Sequence, residues 1–296
     1  MMMAVRPVRW LVGGVAAVAL ALVTACNSDK SSTAPQNPVI SAADATALGD
    51  AMTSDAQSEL DGVTFSSGAF GPGMVGPFGA ATSTPCPTIS PQPVVDSDKD
   101  GVPDSVRVSF PTCVFSNWGG SDTISGAIDV ADPTPTTADH DLRLRFLAFT
   151  RVEVFDGHKR SSVLAGMRQA LRDPNSITLQ DSSLTTTLTR ADGTTATSDR
   201  NWTALFTADV AGSIKPDQPL PSGTLNINPG TATWTRGTNS FSLSVTTSPP
   251  LHYNATCTLR PPFDAGTLKI VVTRNGETAT VTVTFTACGQ YTVTRS

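Results

Sequence analysis

The chain has 296 residues, a net charge of −5, 39% hydrophobic residues and only 15% charged ones, a size that suits one large domain or two small ones. That composition excludes disorder driven by charge, and the acidic balance excludes a nucleic-acid ligand, which needs a basic face to displace phosphate counterions. Glutamates are few (Glu59, Glu153 and Glu277) while Thr and Ser abound, a skew away from long exposed helices and toward β-structure.

Arg6 and Arg9 open the chain with positive charge, and Trp10–Val23 follows as an apolar run. At about 14 residues this run falls short of the ~20 that a spanning helix needs. Next comes Val23-Thr24-Ala25-Cys26. Small residues directly before a cysteine resemble the bacterial lipobox. The resemblance implies a signal peptide over residues 1–25, cleavage before Cys26, a diacylglyceryl group on the Cys26 thiol and a further acyl chain, such as palmitate, on the new amino group. Two or three acyl chains anchor a protein stably, whereas one does so only marginally. The expected partner is therefore a membrane, reached through an N-terminal lipid anchor. The residue after Cys26 is Asn27, not Asp, which by the same resemblance favours the outer membrane of the cell envelope over the inner. Residues 26–40 are polar, with Ser and Pro and no apolar period, and read as a flexible tether.

Residues 41–62 predict one helix. Ser41 with Asp44 three residues on resembles a capping box, Leu48, Met52, Ala56 and Leu60 form one apolar stripe, and Gly62 is a stop signal. Ser66–Ser83 is a Gly/Pro-rich loop carrying Phe70 and Phe78. Setting Cys26 aside, Cys86, Cys113, Cys257 and Cys288 remain. An even number in an exported chain predicts two disulfides, and of the three connectivities the local one, Cys86–Cys113 with Cys257–Cys288, is expected. The absence of C-x-x-C and the scatter of His140, His158 and His252 argue against zinc.

Between the first two of these cysteines lies Asp96-x-Asp98-x-Asp100-Gly101-x-x-Asp104. Alternate carboxylates wrap a hard cation in EF-hand-like loops, with Gly101 at the sharp turn, the Val102 carbonyl at position seven and Asp104 at position nine. Position twelve should be acidic and is Arg107, and position four is Lys99. Two readings stay open: a weak, structural calcium site on Asp96, Asp98, Asp100, Val102 and Asp104, or an Asp-rich turn beside a disulfide.

From Val106 onward the pattern alternates with period two. In Asp141–Phe155 the apolar phase changes midway, from Leu142, Leu144 and Phe146 to Leu147, Phe149 and Phe155, so this strand carries a bulge or is apolar on both faces. At ~3.3 Å per residue it would span ~50 Å, long enough to require a curved sheet, half-barrel or sandwich. Residues 161–172 leave helix and strand both open: Val163, Leu164, Met167 and Leu171 have helical spacing, yet strands flank the segment and Gly166 interrupts it. Beyond it, Asp192-Gly193 and Asn275-Gly276 mark hairpin turns. Val281, Val283 and Phe285 alternate with threonines, as expected of a sheet with one wet face. The fold class is mostly β: a single antiparallel domain over residues 63–296 behind a short N-terminal helix.

No G-x-S-x-G, P-loop, G-x-G-x-x-G or H-E-x-x-H motif occurs, so no enzyme is expected; a hydrolase would need His140 or His158 beside a serine or carboxylate. The strings "DSDKDGVPDS", "CVFSNWGG", "SGAIDVADPTP", "PSGTLNINPGTATW" and "SPPLHYNATC" with a closing "FTACG" resemble a group of uncharacterised bacterial lipoproteins. The resemblance covers about two-thirds of the chain and implies envelope localisation, a β-rich domain and a strand around Gly166, but no activity. The resulting expectation is a lipid-anchored envelope protein with a non-enzymatic binding or structural domain whose protein or apolar ligand is unspecified. The alternative is a carrier of lipid or another apolar ligand, its cavity lined by Phe146, Phe149 and Phe155.

Overall fold

The computed structural model describes residues 38–63, 86–117, 120–155, 158–191, 193–215 and 218–296; the leader, Cys26, most of the tether and the loop with Phe70 and Phe78 lie outside them. One helix, α1 (Ala42–Val63), precedes an all-antiparallel sheet. Its strands are β1 (Thr88–Ser90), β2 (Val106–Asn117), β3 (Gly120–Ala131), β4 (Leu142–Phe155), β5 (His158–Arg172), β6 (Ser176–Thr189) and β7 (Thr195–Ala208), then β8 (Gly223–Ile227), β9 (Gly230–Arg236), β10 (Asn239–Thr247), β11 (Leu251–Tyr253), β12 (Phe263–Arg274), β13 (Glu277–Ala287) and β14 (Gln290–Arg295). Residues 161–172, open between helix and strand in the sequence, are strand throughout.

The topology is a meander. β8 and β9 lie end to end along one edge of β7, and β10 and β11 end to end along β12. Each pair is one long strand broken by prolines that lack a ladder N–H, Pro229 in the first and Pro249 and Pro250 in the second. With these breaks closed, every strand pairs with its neighbour in sequence. Both disulfides are local, joining Cys86 to Cys113 and Cys257 to Cys288 with Cα separations of 5.5 and 5.7 Å.

Strands β2 to β7 are 12 to 15 residues long, about twice the usual length. A continuous line of bulges bends them, with register shifts at Phe110/Cys113, Ser125/Ala127, Phe146/Phe149, Ala165/Met167 and Asp181/Leu184. Two residues on β2, β4 and β6 oppose one on β3, β5 or β7, so the inward phase flips on β2, β4 and β6 only. On β4 it passes from Leu142, Leu144 and Phe146 to Phe149, all buried. This is the bulge alternative for Asp141–Phe155. Gly166 fixes the line: its φ is +123°, and a Cβ there would stand 2.2 Å from the Ser183 carbonyl oxygen, a contact no other residue could make.

Ser41 caps α1. The Asp44 N–H donates to Ser41 Oγ, and the Ser41 hydroxyl donates to Asp44 Oδ2, both at 3.0 Å. Leu48, Met52, Ala56 and Leu60 are buried. The helix touches β6 and β7 and also β13 and β14, so the sheet curls around it. Gly49 allows the close approach on one side, since a Cβ would come within 2.7 Å of the Val293 methyl Cγ2.

The apolar stripe is half of the contact. Asp44, Asp50, Asp55 and Glu59 each meet an arginine of the sheet: Arg236 at 2.7 Å, Arg190 at 3.3 Å, Arg200 at 2.6 Å and Arg168 at 2.7 Å. The last two pairs are fully buried and share Asp181, whose carboxylate accepts from Arg168 Nε at 2.7 Å and from Arg200 Nε at 2.8 Å. Trp202 Nε1 donates to Glu59 Oε1 at 3.0 Å, and Arg200 lies 5.2 Å over the Trp202 ring. Burial, reinforced by the Asp181 charge, raises the Glu59 carboxyl well above its ordinary range despite the two arginines, while those arginines hold Asp181 low against its own burial. Two guanidiniums, Arg168 and Arg200, thus face three carboxyl groups, Asp55, Glu59 and Asp181, and Glu59 is the one that burial and its acidic neighbour push up.

Two outcomes follow for stability. Arg200→Ala strands Asp55 and Asp181 and should cost about 3–5 kcal/mol, whereas Glu59→Gln, which keeps the side chain's size and removes one of three carboxyls facing two guanidiniums, should stay within about 1 kcal/mol; urea unfolding of the variants reads both. Gly166→Ala should lower the urea midpoint by the equivalent of at least about 1–3 kcal/mol, through strain at the bulge.

Candidate functional site

The Asp-rich loop leads into β2. Asp96 Oδ1 accepts from the Lys99 N–H at 2.8 Å and its Oδ2 from the Gly101 N–H at 3.0 Å; Asp98 Oδ1 accepts from the Asp100 N–H at 3.2 Å; Asp100 Oδ1 accepts from the Val102 N–H at 2.7 Å. Each carboxylate thus turns inward on the loop, and oxygens of Asp96, Asp98 and Asp100 come within 4.8 Å of one another. Asp104 is placed apart from this group. Its two oxygens accept from the Ser97 N–H at 2.8 Å and the Ser97 hydroxyl at 2.6 Å, which closes the loop's neck and lowers the Asp104 carboxyl. The Val102 side chain is buried in the core. Arg107, at position twelve, reaches across to β3 and holds Asp129 by two hydrogen bonds of 2.6 and 3.0 Å.

The β3–β4 connection brings more acid to the same place. Asp132 N–H donates to the Pro103 carbonyl at 3.0 Å, and Asp100 Oδ2 accepts from the His140 N–H at 2.6 Å. Asp132 is only 5% exposed. Its Oδ1 accepts from the Thr134 N–H at 2.7 Å, while its Oδ2 and Asp98 Oδ2 are buried without a hydrogen-bond partner. Burial, then the charges of Asp100, Asp98 and Asp139, raise the Asp132 carboxyl; burial, then neighbouring acids, raise Asp98 and Asp141. Arg172, at the far end of β5, gives its N–H to Asp141 at 2.8 Å, and burial brings its guanidinium down to about 10. The ring of His140 points its Nδ1 at the Asp100 carbonyl, which only accepts, so Nδ1 carries the proton. Sequence reasoning missed Asp132. The available signal was its phase, since it continues the inward positions Ile128 and Val130 one step past the end of β3.

A second charged group lies at β11. His252 Nδ1 meets Asp264 Oδ1 at 2.6 Å and its Nε2 meets Asp209 Oδ2 at 3.0 Å. With both nitrogens bonded to acceptors the ring is held as an imidazolium, and the hydrogen bond to Asp264, then that to Asp209, raise its pKa.

Phe146 and Phe149 are buried, with ring centroids 6.0 Å apart, and Phe149 meets Phe110 edge-on at 5.5 Å. Both belong to the core under the bulge line; the Phe155 side chain falls outside the described residues. A crevice between α1 and the sheet, lined by Ala51, Asp55, Thr186, Ser198 and Trp234, has room for roughly one water molecule.

The His252 group should be visible in the pH dependence of folding. Because the folded pKa stands above the ordinary ~6.5, its stabilisation is complete below that value and disappears as pH rises through the raised folded value. His252→Asn should therefore lower the melting temperature more at pH 6 than at pH 9, as followed by circular dichroism.

No protein-family model matches this chain, and neither a curated protein nor a solved structure matches it.

Proposed function

We propose that the protein is a lipid-anchored component of a bacterial cell envelope, held by acylated Cys26, with a non-enzymatic β-domain that binds or supports another envelope component. The leader carries this reading: basic residues, an apolar run too short to span, small residues and then Cys26, in that order. The two disulfides support it, because such bridges persist in oxidising compartments and are rare in a reducing cytosol. The pairing of the domain's buried charges with one another also supports a structural role, since Arg168, Arg200, Asp181 and Asp55 are each committed to a partner between helix and sheet. Outer-membrane placement is part of the proposal and rests on Asn27.

Metabolic labelling with an alkyne palmitate analogue tests the anchor. The wild-type chain should take up label, lose residues 1–25 and sediment with membranes. Cys26→Ser should remain unlabelled and keep its leader. An unlabelled wild-type product, soluble and with free thiols, would overturn the proposal.

A further inference from the structure

We propose that a calcium ion is held at the leading end of β2 by Asp96, Asp98 and Asp100 together with Asp132, which supplies from the end of β3 the acidic ligand that the loop's twelfth position lacks. Two independent observations meet here. One is the cluster itself, in which three carboxylates have oxygens within 4.8 Å of one another. The other is Asp132, nine-tenths buried and more, whose Oδ2 has no hydrogen-bond partner although its Oδ1 has one. A carboxylate oxygen removed from water and left unpaired is costly, and Asp98 Oδ2 is in the same condition; its charge is felt at Asp132, although the oxygens within 4.8 Å of one another among the described residues are those of Asp96, Asp98 and Asp100. A cation reached by both would satisfy them.

The register explains why Asp132 takes this part. Arg107 pairs with Asp129 and Val106 with Val130; two further steps along the same ladder place Asp132 opposite Asp104, where its N–H bonds Pro103 inside the loop. Position twelve is unavailable because Arg107 belongs to β2 and is committed to Asp129. The oxygens that the loop's own N–H groups occupy orient the carboxylates, and Asp104 closes the neck instead of facing the ion. An all-oxygen donor set from an irregular loop suits calcium, which tolerates uneven geometry, better than magnesium, which demands a regular octahedron, or zinc, which prefers nitrogen and sulfur. The ion would tie the segment that begins at the Cys86–Cys113 bridge to the β3–β4 connection.

The test is calcium titration of the full chain, stripped with EDTA and dialysed, by isothermal calorimetry. The expected result is one saturable calcium site per chain with an affinity of roughly 10⁻⁴–10⁻³ M, the range of extracellular modules, and a melting temperature that rises with calcium and returns with EDTA. Asp132→Asn should weaken binding roughly tenfold or more with an unchanged far-ultraviolet spectrum, while Glu277→Gln, in the β12–β13 hairpin, should bind as wild type. Absence of saturable uptake by the folded wild-type chain up to about 10 mM calcium would overturn the proposal without recourse to any variant. Wild-type affinity in folded Asp132→Asn would overturn it as well, and should that variant fail to fold, Asp98→Asn provides the same comparison.

Discussion

The fold depends on how one acidic helix is seated against a sheet that carries the opposite charge. α1 contains no basic residue, and its acids face Arg168, Arg200 and Arg236 on strands β5, β7 and β9, and Arg190 in the β6–β7 connection. Apolar burial alone would let a helix slide or rotate in a smooth groove. Buried guanidinium–carboxylate pairs do not, because any shift leaves a charge unpaired in a medium that solvates it poorly. The bond of Tyr291 to Asp50 at 2.9 Å and the close contact at Gly49 set the helix's axial position in the same way. Burial, then the Asp50 charge, push the Tyr291 hydroxyl up to about 12, so it donates at any physiological pH.

The bulge line makes that seat possible. A strand of fourteen residues with strict alternation presents one unbroken face. By inserting residues on β2, β4 and β6, the line bends the sheet and changes which side chains face inward beyond it. Asp181 is inward on one side of the line and Leu184 on the other, and Arg168 and Arg200 flank Asp181 from strands whose phase is unchanged. The ionic core therefore lies on the sheet's line of curvature, where the helix crosses it.

Features encoded by local chemistry were legible in the sequence. The Ser41 cap, the Leu48–Leu60 stripe, the alternation of Val281, Val283 and Phe285, and both cysteine pairs required only near neighbours. Residues 161–172 were ambiguous because Met167 and Leu171 mimic helical spacing; their surroundings decide the matter, with β4 and β6 on either side and Gly166 under a carbonyl. The ionic core was not read at all. Asp181, Arg168 and Arg200 each look like an ordinary polar residue in a Thr-rich strand, and only cross-strand register places them together. The Asp loop was visible as a motif, but its neighbour Asp132 was not, for the same reason: a hairpin ladder, not a spacing along the chain, brings it there.

These two charged regions differ in a way that bears on where further chemistry can reside. In the ionic core nearly every donor and acceptor is committed, with Arg168 and Arg200 each held by carboxylates of Asp55, Glu59 and Asp181. At the leading end of β2 the balance is the reverse. Asp96, Asp98, Asp100, Asp132, Asp139 and Asp141 gather there, Arg172 is a cation whose field reaches Asp141 and Asp100, and Asp98, Asp132 and Asp141 are all raised, first by burial and then by neighbouring acids, with Asp100 among them each time. Three of these acids, Asp100, Asp132 and Asp141, are buried and three are half-exposed, so the excess of negative charge is compensated partly by water and partly by whatever proton or cation the site takes up. The helix seat is closed and self-sufficient, whereas the acidic end carries more carboxylates than cations, so the surface most responsive to the ionic surroundings of this domain is the one formed by the loops before β2 and between β3 and β4.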